Sequence, residues 1–359
     1  MSKRINVTSP ELPPLSEVIS LLEKVWKSKI LTNQGPFHDQ FENELCKYLD
    51  VKNISLFNNA SLAILTSLKA LKLTGNIITT PYTFVATTHA ISWAGLEPKF
   101  VDIRSSDFNI NPKIVENAID ENTSAILAVN CYGNPCDIKS LEKISKKHNL
   151  KLIIDAAQSF GVRCPKENIF KGADLSILSF HATKTFTTFE GGAVICKKKE
   201  TKIKLDKMKN FGFEDEVNIS EIGLNCKMNE FSSILGIVQL KYINNNLLKR
   251  KIIADRYFKN LSNIKGIELL SEKLLHESNN TYFPVIVSGE YPISRDQLYQ
   301  SLKSIGVFTR RYFYPITSNL KMYSNLKSSN KLNLPVANRT ANQILCLPIY
   351  PDLKNDDQF

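Results

Sequence analysis

A side chain does chemistry when it is held where water does not level its reactivity, and one lysine of this chain has such a setting. In SFHATKTFTTFEGG, residues 179–192, Lys184 stands among Thr, Phe and Gly, and Glu190 is the one other formal charge. The preceding ADLSIL, residues 173–178, reads as a buried strand. A lysine withdrawn from water loses its proton more readily, because burial disfavours the ammonium form. The neutral amine can then condense with an aldehyde. A surface role is the ordinary meaning of any single lysine, so its neighbours in strand order decide the matter.

Three other strand ends carry suggestive residues. KLIID is followed by AAQSFG, so Asp155 terminates an apolar strand. Its carboxylate is either exposed at the sheet edge or buried with a cation such as a protonated pyridine nitrogen. NISLF runs into NNAS and then into the helical LAILTSLKAL. A small-residue turn opening a helix offers N–H groups and the Ser61 hydroxyl to an anion. The blander meaning is that Ser61 caps the helix. After NIITT, the segment PYTFVATTHAI places Phe84 either over a flat ligand or in the core.

The elements that must position these residues follow from periodicity. NISLF (53–57), NIITT (76–80), KFVDI (99–103), SAILAVNCY (124–132), KLIID (151–155) and LSILSF (175–180) read as buried strands. The segments between them read as helices. Asp137 is the expected N-cap of one, with Ile138, Leu141 and Ile144 along a single face. Such alternation predicts an α/β fold with a mostly parallel sheet and right-handed crossovers, and ligands at the carboxyl ends of the strands. Beyond residue 240, YFPVIVS and GVFTRRYFYPI predict a smaller α+β C-terminal domain. The expected division is 1–240 and 241–359, with the N-terminal segment packing on the small domain. LKNDDQF reads as the start of another helix, which raises the expectation that a C-terminal element is missing.

Bulk properties narrow the function classes. The 359 residues are 43% hydrophobic, ample for a core, and no apolar run is long enough to cross a bilayer. MSKRINVTSPELPPL has no apolar h-region, so a cytoplasmic protein without membrane insertion is expected. Seven cysteines in scattered apolar contexts read as reduced buried thiols, and the five histidines form no HxH or HxxxH pair, so no metal is expected. The net charge of +11 is dispersed. Its densest run, KKKETKIKLDKMK (197–209), is broken by acids and reads as a solvated helix face rather than a nucleic-acid site. A modest positive field favours anionic small molecules.

DAAQ, SFHATK and EGG, with NNAS upstream and GLNCKMNEFSSILG (223–236) downstream, resemble the DegT/DnrJ/EryC1/StrS sugar aminotransferases over nearly the whole chain. The resemblance implies the type I, aspartate aminotransferase-like fold of pyridoxal-phosphate enzymes, and a homodimer with shared active sites. It implies that Lys184 binds pyridoxal 5'-phosphate covalently and shuttles protons, that Asp155 pairs with the ring nitrogen, and that Gln158 lies beside the ring. Phe84 would stack on the ring, Ala60, Ser61 and Ser179 would hold the phosphate, and Asn225 would reach the partner's phosphate. His181 would lie nearer the substrate. Arg250, Arg310, Tyr312 and Tyr314 are candidates for sugar or diphosphate contacts, and equally for surface or packing roles.

Four positions depart from the family pattern. Ala60 and Phe189 replace glycines, Ala182 a proline, and Lys227 an arginine. Lys184 is kept, whereas relatives that dehydrate sugars carry histidine there. The implied exchange is ping-pong: L-glutamate yields its amino group, leaves as 2-oxoglutarate, and a keto group on a nucleotide-linked sugar receives the nitrogen. Overall similarity favours C4 of dTDP-4-keto-6-deoxyglucose, in O-antigen biosynthesis. Members acting at C3, or on UDP and GDP sugars, share the same motifs. A noncatalytic binding module would keep the fold without needing Lys184 beside Asp155, and a DNA-binding regulator would need a helix-turn-helix segment.

Overall fold

The computed structural model describes residues 4–164 and 168–358. Its strands are β1 Ile5–Asn6, β2 Ile54–Phe57, β3 Asn76–Thr79, β4 Glu97–Phe100, β5 Thr123–Val129 and β6 Lys151–Asp155, then β7 Leu175–Ser179, β8 Gly192–Cys196, β9 Ile267–Leu269, β10 Phe283–Val287, β11 Val307–Phe308 and β12 Ile344–Leu347. Seven of them form one sheet in the order β2-β8-β7-β6-β5-β3-β4. Strands β7, β6, β5, β3 and β4 are mutually parallel, and β8 runs antiparallel to both of its neighbours. The central strands are almost wholly apolar because helices cover both faces. Ile126, Ile154 and Leu178 face one core, while Leu127, Ile153 and Ile177 face the other.

The six expected strands are present, with trimmed ends. KFVDI contributes only its first two residues to β4, and SAILAVNCY stops at Val129 before a short 3-10 turn, Cys131–Gly133. Asp137 does cap its helix, accepting from Ser140 N at 3.1 Å. The expected further helix at the end of the chain is a single 3-10 turn, Asn355–Asp357.

One continuous helix, Glu230–Leu261, links the main sheet to the antiparallel sheet β12-β10-β9. Ile234, Leu235, Val238 and Ile243 lie in the large core, and Ile253, Ala254 and Tyr257 in the small one. Residue 240 therefore falls inside a helix that passes from one core to the next. β1 pairs with β11 as a separate two-stranded sheet, and Ile5 lies in the small core beside Val307 and Phe283, which ties the N-terminal segment to the C-terminal half.

The lysine-rich run departs from its expected solvation. Lys199–Met208 is helical, but Lys209 is fully buried, donating to Asp206 at 2.7 Å and Ser55 at 3.3 Å. Lys202 pairs with Glu42 at 2.8 Å and with Asp206 at 2.7 Å. The cause is tertiary: Glu42 comes from the helix Pro36–Leu49, which sequence spacing alone does not bring near. The seven cysteines are free thiols, all buried except the partly buried Cys46 and Cys164.

Candidate active site

The parallel strands end together, and their carboxyl ends build the site. Asp155 closes β6 and is 6% exposed. Its Oδ2 accepts from Thr87 Oγ1 at 2.7 Å and its Oδ1 from the Ala157 N–H at 3.1 Å. Burial raises its pKa, while those two donors and the charge of Lys184 oppose the rise. Lys184 lies in the loop after β7, where its backbone N–H donates to the His181 carbonyl at 2.9 Å. Burial pulls its amine from 10.5 down to about 8, against the opposing charge of Asp155. An amine with that pKa is about a tenth neutral at pH 7 and half neutral near pH 8, against a trace for an ordinary lysine, and the neutral form is the nucleophile.

The small sheet closes over this pair. Tyr282, next to β10, places its ring centroid 5.8 Å from Lys184 Nζ. Asn279 donates to the carbonyls of Gln158 and Phe160 at 2.8 and 2.9 Å, so a residue of the C-terminal half pins the loop that follows Asp155. Gln158 is itself oriented, because its Oε1 accepts from Tyr132 N at 2.8 Å. Its Nε2 is thereby left as the donor end. Tyr132 makes that bond from a left-handed backbone, φ 56°, which costs a non-glycine residue on the order of 1–2 kcal/mol. Stacking on Phe313 and edge contacts with Tyr82, Phe108 and Tyr282 hold it there.

The anion turn resolves in favour of a free hydroxyl. Asn59, not Ser61, caps the helix Ala60–Ala70, with its side chain accepting from Leu62 N at 2.8 Å. Ala60 and Ser61 thus begin the first turn, where N–H groups are unsatisfied. The turn lies tight against β8: a Cβ on Gly192 would come 2.7 Å from Ala60 N, so the last glycine of EGG permits this approach. Ser179 ends β7 in register with Gly192, and its Oγ accepts from His181 N at 3.4 Å. His181 is exposed, with Nδ1 2.9 Å from Thr183 Oγ1 and Nε2 3.5 Å from Glu190.

Phe84 is 56% exposed, so it is not a core aromatic. It lines an apolar groove of about 920 Å³ together with Ser61, His89, Trp93, Gly223 and Leu224. Asn225, exposed beside that groove, accepts from Lys227 Nζ at 2.9 Å, and Lys227 also donates to Asn210 at 2.7 Å. Thr87, Tyr132, Asn279 and Tyr282 are site residues that sequence reasoning missed. Thr83 and Thr87, four apart at a helix start just past a strand, carry only a spacing that is too common to single them out.

Likeness to known proteins agrees with this geometry. Residues 15–359 match the DegT/DnrJ/EryC1/StrS aminotransferase family. The chain belongs to that family. An Escherichia coli relative, dTDP-4-amino-4,6-dideoxy-D-glucose transaminase, is 45% identical over 99% of this chain and 96% of its own. Among solved structures, DesI in the presence of its TDP-sugar product superposes with a TM-score of 0.94 at 29% identity, covering 99% of this chain and 91% of its own. NtdA from Bacillus subtilis with bound cofactor PMP gives 0.87 at 28% identity, covering 100% and 84%.

Within this aminotransferase family, the departures acquire physical meaning. Phe189 has φ 66°, the left-handed region that favours the glycine usual there, and its ring rests 5.8 Å from that of Phe231. The sugar-side candidates separate. Arg250 is buried, donates to the carbonyls of Ile349 at 2.9 Å and Asn280 at 3.4 Å, and is pulled down to about 10 by burial. It packs the long helix against the small sheet rather than opening onto solvent. Arg310 is exposed in a bridge with Cys346. Tyr312 packs edge-on to Tyr282 at 5.3 Å, and burial pushes its hydroxyl up to about 12. Tyr314, exposed, lies under the guanidinium groups of Arg295 and Arg311 at 4.8 and 5.3 Å. Of these four, Tyr312 and Arg250 are tied to the Lys184 neighbourhood through Tyr282, the first by ring packing and the second by its charge.

Proposed function

We propose that this protein is a pyridoxal-phosphate-dependent transaminase that carries nitrogen from L-glutamate to C4 of dTDP-4-keto-6-deoxy-D-glucose, giving dTDP-4-amino-4,6-dideoxy-D-glucose. The observation that carries the chemistry is Lys184, an amine lowered to about 8 by burial and facing a buried carboxylate from the neighbouring strand end. The choice of sugar rests on the 45% identity to the E. coli transaminase. A role in O-antigen biosynthesis and a cytoplasmic site of action go with that choice. Free thiols fit a reducing compartment.

The residues fit the cofactor. Asp155 is an anion for a protonated ring nitrogen, Gln158 Nε2 a donor for an oxygen on the ring, and the uncapped N–H groups at Ala60 and Ser61, with the Ser61 and Ser179 hydroxyls, suit a phosphate. Pyridoxal phosphate, when bound, supplies an aldehyde that condenses with amines and a ring that takes up the electrons released at the α-carbon. Lys184 would be the base that takes the α-proton of glutamate and the acid that returns a proton in the other half of the exchange. One amine can do both because its pKa lies near working pH. Asp155 keeps the opposite end of the site negative while Lys184 changes charge. Tyr282 and Asn279 close the lysine side against water.

A second copy of the chain completes the site in this reading. The groove beside Ser61 and Phe84 is apolar, with Trp93 81% and Ile222 93% exposed, and continuous exposed apolar surface marks an association face. In this reading Asn225, next in sequence to the groove-lining Leu224, would serve the partner's phosphate. The decisive experiment incubates the protein with L-glutamate and a panel of 3-keto and 4-keto sugars linked to dTDP, UDP and GDP, with NMR of the products. Amination at C4 of the dTDP-4-keto-6-deoxy sugar is expected. A faster reaction with a UDP, GDP or 3-keto substrate overturns the assigned sugar, and none with any overturns the activity.

A further inference from the structure

The mechanism needs Asp155 to remain an anion in a place that burial makes unfavourable for charge, and the structure contains a device for this. We propose that Thr87, oriented by Thr83, is a positioning residue that aims the Asp155 carboxylate and stabilises its charge. The inference rests on the cofactor-binding reading of Asp155 for its purpose, but not for its geometry.

Thr83 and Thr87 are both buried, and neither is on the strand that carries Asp155. Threonines inside helices commonly bond back to a main-chain carbonyl one turn earlier. Thr87 instead reaches across to Asp155 Oδ2 at 2.7 Å and to Thr83 Oγ1 at 2.9 Å. A hydroxyl has one hydrogen. If Thr87 gives it to the carboxylate, the contact with Thr83 requires Thr83 to be the donor. Both hydroxyls then point toward Oδ2, a charge-assisted chain that strengthens along its length. The reverse polarity would suit a protonated Asp155. The Ala157 N–H on Oδ1 and the charge of Lys184 favour the anion.

The groups facing Asp155 are few. Lys184, from the loop after β7, is the charged one. The helix Val85–Trp93 contributes Thr87, and the turn after β6 contributes the Ala157 N–H. The same helix start carries Phe84 at its N-cap, so one turn of chain sets both the exposed ring and the donor. The neighbouring Thr88 donates to Thr317 Oγ1 at 3.2 Å, and Thr317 N donates to the Pro81 carbonyl at 2.9 Å, which fastens the turn to the C-terminal half. Thr87 is thereby held at both ends of its segment.

The test titrates Asp155 by carboxyl carbon NMR in cofactor-free protein and separately measures pyridoxal phosphate affinity. In Thr87→Val, which keeps the shape and loses the hydroxyl, the Asp155 midpoint is expected to rise by about one to two pH units. Affinity should fall roughly ten- to a hundredfold. Thr87→Ser should restore both to near the parent values. A folded Thr87→Val with an unmoved midpoint overturns the proposal. Should that variant not fold, Thr83→Val is read in the same way, with a smaller rise expected and no rise refuting it. If the midpoint rises but the parent protein binds no pyridoxal phosphate, the hydroxyl relay is upheld and the cofactor reading is overturned instead.

Discussion

Two partly buried lysines of this protein have opposite fates. Lys184 and Lys202 both suffer desolvation, which favours the neutral amine. Lys202 has Asp206 at 2.7 Å and Glu42 at 2.8 Å, and their pull outweighs burial, raising it above the ordinary lysine value. Lys184 meets Asp155 only through the longer reach of its charge, too weak to cancel desolvation. Burial alone therefore does not make a lysine reactive. A buried amine becomes a nucleophile where the fold denies it a close acceptor, and a structural cation where it supplies one.

The sharpest way to break this comparison is to delete each lysine's role. Lys184→Ala is expected to lower transamination from glutamate by at least about 10⁴-fold, the upper range for a single acid–base group, with no loss in the thermal midpoint. Appreciable turnover in that variant would refute the mechanism. Asp206→Ala is expected to do the reverse. It strips Lys202, Lys209 and Ser55 of a shared acceptor and leaves buried positive charge, which costs about 3–5 kcal/mol. Urea unfolding should show that loss, while turnover per folded molecule stays near the parent value. If activity fell with Asp206 and stability with Lys184, the assignment of roles would be inverted.

The two lysines also mark where sequence is legible and where it is not. Lys184 and Asp155 stand out because each follows an apolar run, and a charge at the end of a buried strand has few ordinary explanations. The strands themselves are readable from β-branched content, to within a few residues. Lys202 and Lys209 are not, because their run is interleaved with acids like any solvated helix. Only the distant helix Pro36–Leu49 and strand β2 make it an interior network. Arg250 misleads for the same reason: nothing near it in sequence announces the carbonyls of Asn280 and Ile349. The relay from Thr83 is hidden because hydroxyls four apart at a helix start are common. The half of the site built by local punctuation is visible in the residues, and the half built by long-range packing is not.

A pH series sharpens the contrast further. The folded Lys184 amine binds its proton less tightly than the unfolded one, about 8 against 10.5, so between those values the unfolded chain holds more protons. Stability of the cofactor-free protein, compared with Lys184→Met, should therefore rise as pH climbs from 8 toward 10.5. The gain is on the order of 3 kcal/mol. Below about pH 8 both states are protonated at this site, and the penalty is fully present. Denaturant midpoints for the two proteins across that range measure it. A difference that stays flat or falls with pH would mean that the Lys184 amine is not depressed.

The smallest expected effect concerns the loop that carries Lys184. Phe189 occupies left-handed backbone, which costs a residue with a Cβ on the order of 1–2 kcal/mol and costs glycine little. Opposing this, its ring meets Phe231, a contact that contributes roughly 0.5–1.5 kcal/mol when well formed and less for a ring that is 45% exposed. Glycine also gains more freedom in the unfolded chain, which subtracts further. The balance leaves Phe189→Gly more stable by up to about 1 kcal/mol in thermal or urea unfolding. A clear loss of stability would show that the Phe189–Phe231 contact outweighs the strain, and that the ring rather than the backbone sets the shape of this loop.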